Sequence, residues 1–213
     1  MKKLVLNKLN NKYELIKRDM GVLKNIHKGI YNFDCEAYEI KNIGNLFFIN
    51  LKALFGLMKM ETIVITPKYK DLSFCNLDIV KAMGKETYMF EMYKTSLRDE
   101  DLSTFKDIKS KYSNLNNYSS EPRWYDEMKL ESSISKTGKK ISDKAEKMLE
   151  ECLDKYLILL DEAPICDPEL KNIENRKYVD RLVDEGGSAV DSMTKIVGKE
   201  MTSKLIKEFM YNV

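Results

Sequence analysis

Along the first thirty residues, Leu4, Leu6, Leu9, Tyr13, Ile16, Met20, Leu23 and Ile26 recur at three- and four-residue steps, which predicts a helix over residues 1 to about 30. From Phe33 to Thr95 the period shifts towards two, predicting strands at about 35–43, 46–55, 57–66, 72–82 and 86–94. Met83-Gly84-Lys85 reads as a tight turn between the last two, with the glycine supplying any positive φ. Sequential strands joined by such short turns must run antiparallel, because a parallel crossover needs a dozen or more residues. Arg98 to Lys111 reads as a helix, Asn114 to Arg123 as a polar loop, and 127–137 as a further strand. Ser142 opens a helix to about Glu162, with Ala145, Met148, Leu149, Cys152, Tyr156, Leu159 and Leu160 as its buried stripe. Pro164 and Pro168 interrupt it, Leu170 to Asp184 forms another helix, and a last helix or pair runs from Ser188 to Tyr211.

This order of elements predicts an α+β fold, a three-layer α/β/α sandwich with a central antiparallel sheet flanked by helices. Coverage on both faces explains why the strands lack a clean polar side. Neither an internal repeat nor a linker marks a boundary, so residues 1–213 are read as a single domain.

The second strand run, Leu72 to Ala82, carries an acid at its centre. On strict alternation Asp78 shares a face with Phe74, Asn76 and Val80, while Cys75, Leu77 and Ile79 point the other way. A carboxyl group between two apolar layers is costly to ionise, so its pKa should rise, and acids of that kind transfer protons. The same position also suits a structural acid that accepts hydrogen bonds from a neighbouring strand or pairs with Lys81 at a rim.

Composition narrows the chemistry further. Bases (36) and acids (34) nearly cancel to a formal +2, which argues against a dedicated nucleic-acid binder. The basic cluster from Lys136 to Lys140 contains Gly138 and reads as a solvated turn. With one histidine, His27, placed near the end of the first helical segment, histidine-built zinc sites and Ser-His-Asp triads are disfavoured. Among nine glycines there is no dinucleotide or phosphate-loop motif. Cys35, Cys75, Cys152 and Cys166 are scattered without a Cys-x-x-Cys pair and no signal peptide is visible, so reduced thiols in a cytoplasmic protein are expected. The longest apolar stretch, Leu46 to Met60, is interrupted by Asn50, Lys52 and Lys59, so no membrane span and no membrane partner are expected. The abundance of Lys, Asn and Ile suits the codons of an AT-rich bacterial genome.

The order of motifs resembles the ferredoxin-dependent bilin reductases over roughly residues 45–213. A strand ends in Pro67 and Asp78-Ile79-Val80 follows about a dozen residues later; Pro122-Arg123-Trp124 matches a Pro-x-Trp element. Tyr178, Asp184, Gly198-Lys199-Glu200 and Phe209-Met210-Tyr211 fit the family's C-terminal order. The resemblance implies reduction of a linear tetrapyrrole such as biliverdin, with no cofactor bound by the protein and electrons arriving singly from ferredoxin or flavodoxin. It casts Asp78 as the proton donor and Asp184 as a second one, each as catalytic. Thr62 and Asn76 join the substrate side, and Arg123, Lys129 and Arg176 are candidates for holding the two propionates. Thr62 stands where some members carry a histidine; a hydroxyl orients a carbonyl or water but holds no extra proton near neutral pH. A non-catalytic tetrapyrrole carrier on the same fold, and a structural protein that has lost the pocket, are the alternatives. Trp124 reads as a packing anchor whose indole N–H finds a partner. Asp184, among Asp180, Arg181 and Glu185, also fits a solvated helix end.

Overall fold

The computed structural model describes residues 1–213, apart from the side chain of Ser188. Its eight strands form one antiparallel sheet: β1 (Leu15–Arg18), β2 (Asn25–Lys28), β3 (Tyr31–Ile40), β4 (Gly44–Ala53), β5 (Met58–Pro67), β6 (Cys75–Ala82), β7 (Lys85–Met92) and β8 (Ile134–Gly138). They pair in the order β1-β3-β4-β5-β6-β7-β8, with β2 also paired to β3.

Alternation divides the core in two. Phe48, Ile63, Leu77 and Phe90 point to one side and pack against helices α1 (Lys2–Asn10), α2 (Phe105–Lys111) and α3 (Ser142–Glu162). Phe47, Ile49, Val64 and Phe74 point to the other. There they meet α4 (Pro168–Asp184), α5 (Ser188–Val197) and the C-terminal stretch that follows α6 (Lys199–Lys204). The sandwich is therefore the one that the alternation predicts, with helices on both faces.

Several boundaries differ from the sequence reading. The first segment is helical only to Asn10; β1 and β2 follow, separated by Gly21 at φ +51°, and Gly29 at φ +59° turns β2 into β3. The apolar spacing there was no helical stripe, since Ile16 is exposed. His27 accordingly lies in β2, exposed and 2.6 Å from the Asn32 amide oxygen. Residues 98–104 are not helical. The Asp71 carboxylate accepts from Leu97 N (2.7 Å) and that of Glu100 from Ser73 N (2.7 Å), so side chains bind backbone groups across this junction. β6 starts at Cys75 rather than Leu72, because Asp71 N donates to Pro164 O (2.9 Å) and holds the approach outside the sheet. The strand expected at 127–137 is confined to β8, preceded by a 3₁₀ turn at Trp124–Glu127. Lys136 is not part of a solvated turn: it is buried in β8 and donates to Leu115 O (3.1 Å) and Asn117 Oδ1 (2.7 Å). α4 begins at Pro168, not Leu170, because the Asp167 carboxylate caps it by accepting from Glu169 N (2.8 Å). The last helical stretch breaks at Gly198 (φ +91°) and closes in a π-helical turn, Leu205–Met210.

β4 anchors that C-terminal turn. Asn45 donates through Nδ2 to Phe209 O (2.8 Å) and Met210 O (3.0 Å), and its Oδ1 accepts from Arg18 (3.0 Å). This clasp fixes Tyr211 over the sheet.

Candidate functional site

Asp78 sits at the middle of β6, in register with Thr62 on β5 and Met89 on β7. Its neighbours along the same face are Asn76 and Val80, with Glu91 opposite Asn76. The Thr62 hydroxyl donates to the Asp78 carboxylate. Lys81, three residues along, points to the other face and pairs with Glu146 on α3 (3.5 Å), so it is not the partner of Asp78.

The site has a closed half and an open half. On the closed side, Phe74, Tyr93, Tyr178 and Tyr211 form one aromatic cluster, with Tyr93 and Tyr178 ring centroids 4.5 Å apart and Phe74 5.0 Å from both Tyr178 and Tyr211. Asn76 Nδ2 donates to the Tyr211 hydroxyl (3.2 Å), whereas its buried Oδ1 has no partner among the described residues. Burial raises the Tyr93, Tyr178 and Tyr211 phenols well above their ordinary range, so they stay neutral donors. On the open side, Met60, Val80 and Met89 are only partly exposed, as is Asp78. Asp78 thus lies on the seam between a sealed aromatic layer and an apolar surface that is not fully covered.

Burial is the main influence on the Asp78 carboxyl and pushes its pKa up to about 7. The Thr62 hydrogen bond pulls it down, the nearby Glu91 charge pushes it up, and Lys129 pulls it down. Glu91 is itself buried, 2.8 Å from Lys129 Nζ, and accepts from the Tyr93 hydroxyl (2.7 Å). Lys129 also lies 3.3 Å from Asp126. A carboxyl poised near neutrality, flanked by neutral phenols and a fixed ion pair, can hold a proton at pH 7 and release it to a base placed against it. Glu91→Gln is expected to lower the Asp78 midpoint, because the anion that raises it is lost while Lys129 still acts to lower it. A carboxyl ¹³C titration of aspartate-labelled protein checks this.

The predicted site residues therefore separate. Thr62 and Asn76 border Asp78 directly, and Lys129 reaches its surroundings through Glu91. Arg123 is exposed at the start of the 3₁₀ turn, 3.9 Å from Asp191 on α5. Arg176 and Asp184 are exposed on α4. Trp124 is the anchor expected of it: its indole N–H donates to Gly186 O (2.8 Å) and Arg181 covers its ring at 4.6 Å. Sequence reasoning missed Glu91. The signal was available, since folding the predicted strands about Met83-Gly84 places Glu91 opposite Asn76.

An antiparallel sheet with helices on both faces has a counterpart among solved structures. The chain is similar to the crystal structure of phytochromobilin synthase from tomato in complex with biliverdin, with a TM-score of 0.78 and 13% identity, covering 99% of this chain and 82% of that one. At this identity the likeness is one of fold. No family model matches the sequence. Nor does any curated protein.

Proposed function

We propose that the chain is a reductase of linear tetrapyrroles, taking electrons one at a time from ferredoxin or flavodoxin and supplying protons from its own side chains. The observation that carries this reading is Asp78, a partly buried carboxyl midway along β6 whose pKa is raised to about 7. The fold likeness to a protein solved with biliverdin supports it. So does the unpaired Asn76 Oδ1 on the same face, an acceptor that a pyrrole N–H would satisfy.

On this reading the tetrapyrrole lies against the open, methionine-bordered half of the site and reaches Asn76 by displacing part of the closed aromatic layer. Reducing one double bond takes two electrons from two donor molecules and two protons. Asp78 delivers one proton and is recharged from solvent; Asp184, exposed at the end of α4, is the candidate source of the second. Asn76 and Thr62 orient the polar edge of the ligand, and Arg123, Lys129 and Arg176 offer charge for its propionates. Lys129 would have to share its ammonium with Glu91 and Asp126. The second reading is a tetrapyrrole carrier, favoured by one observation: the hydroxyl of Thr62, which is no proton reservoir, is the hydrogen-bond partner of Asp78.

Anaerobic absorbance spectra of biliverdin with the protein, before and after a reduced-ferredoxin-generating system is added, test the proposal. A shifted spectrum that then moves to new product bands is the expected result. A shift without turnover supports the carrier, and no shift at all removes both readings.

A further inference from the structure

Three hairpin turns reach the same end of the sheet: Gly29–Ile30 between β2 and β3, 54–57 between β4 and β5, and Met83–Gly84 between β6 and β7. The last two touch, Met83 N lying 3.4 Å from Leu57 O. Their side chains are apolar and stand in water: Phe55 is 97% exposed, Met83 85% and Leu57 67%, beside a partly covered Leu54. Leu54, Phe55 and Met83 also hold φ at 52°, 55° and 49°, a left-handed conformation that favours Gly or Asn. Chain reversal alone calls for neither the bulk nor the apolarity found at these tips.

Behind the tips comes positive charge. Lys52, Lys59 and Lys81 face one another directly across β4, β5 and β6, an alignment of like charges that weakens a sheet. Lys81 is paired with Glu146 and Glu61 with the chain's amino terminus, while Lys52, Lys59 and Lys85 are exposed. Glu86 is held inward, accepting from Ile141 N and the Ser142 hydroxyl (both 2.8 Å).

We propose that this end of the sheet docks on a bilayer surface rich in anionic phospholipid. Leu54, Phe55, Leu57 and Met83 enter the boundary between headgroups and acyl chains, and Lys52, Lys59 and Lys85 lie against the phosphates. The two adjoining tips protrude rather than form a recess, which suits a fluid surface that closes around them, and the lysines behind them complement anionic headgroups. The long lysine stems let the charges stay at headgroup level while the tips go deeper. No helix of the described residues is long and apolar enough to cross a membrane, and docking of this kind needs none. The expectation of no membrane partner rested on the lack of an apolar run, which bears on spanning and not on surface contact.

Sedimentation of the full chain with vesicles tests the proposal. Binding to vesicles of equal parts phosphatidylglycerol and phosphatidylcholine is expected at low salt, weakening as salt shortens the range of the lysine charges. Pure phosphatidylcholine should bind about tenfold more weakly, as should Phe55→Ser/Met83→Ser and Lys52→Glu/Lys59→Glu, whose altered side chains are exposed and leave the fold intact. Phe55→Trp, read as a difference from the parent protein, should shift its emission to the blue on vesicles and be quenched by brominated lipid. Failure of the parent to sediment, or undiminished binding by Phe55→Ser/Met83→Ser, overturns the proposal. Retention on polyglutamate resin without vesicle binding assigns the patch to an acidic protein and overturns it too.

Discussion

Asp78→Asn is expected to stabilise the protein at pH 8 by about 2–4 kcal/mol, to have little effect at pH 4, and to abolish most bilin turnover while leaving binding intact. The sign follows from the raised pKa. An unfolded aspartate loses its proton near 3.8, whereas folded Asp78 keeps it until about pH 7. Stability associated with this group is therefore full below about pH 4, declines as pH rises through the window to 7, and stays reduced above it. Asn has no proton to lose and can still accept from Thr62, so the variant should lack the decline. Urea denaturation at a series of pH values reads the stability difference, and the anaerobic bilin assay reads turnover. A variant whose stability follows the parent's pH dependence would mean that Asp78 ionises freely in the fold.

The second large effect belongs to Lys171, which is fully buried on α4. Its ammonium donates to Thr95 O (2.6 Å) and Asn175 Oδ1 (3.0 Å), and Asn175 Nδ2 donates to Pro67 O (3.1 Å). Through these bonds α4 is tied to the end of β5 and to the segment after β7, which holds Tyr178 against the site. Lys171→Ala is expected to cost about 3–5 kcal/mol, since it leaves a cavity and strands a buried carbonyl. Lys171→Met fills most of the space and isolates the hydrogen-bonded share. Burial lowers the Lys171 pKa to about 8, although the charges of Glu100 and Asp71 act to raise it. The folded protein thus gives up this proton before the unfolded chain does, and stability should rise between about pH 8 and 10.5. That window lies above the Asp78 one, so the two contributions can be separated in a single pH series.

The strands from β3 to β7 were legible because their residues alternate and tight turns separate them; the burial of Asp78 followed from the same alternation. The first thirty residues were not. A spacing of three to four residues can be produced by two short edge strands whose apolar side chains are partly exposed, and only Gly21 and Gly29 marked the breaks. The loss of helix before Phe105 depends on Asp71 and Glu100 capturing backbone N–H groups, a contact between distant segments that local pattern does not encode. Within the site, Thr62, Asn76 and Glu91 were within reach of strand register, whereas the approach of Lys129 to Glu91 was not. The closure of the aromatic cluster depends on Asn45 clasping the chain's end, 164 residues away from Phe209 in sequence. Buried Lys171 and Lys136 were hidden for a related reason: each ammonium donates to carbonyl oxygens that only the folded chain brings to it.

The central claim is that Asp78 presents a proton to a bound tetrapyrrole near neutral pH. The most direct measurement is the absorbance spectrum of biliverdin bound to the parent protein and to Asp78→Asn between pH 5 and 9, without any electron donor. The account predicts a spectral transition with a midpoint near 7 in the parent and none in the variant. A bound spectrum with the same pH dependence in both proteins, or no bound spectrum at all, would contradict it.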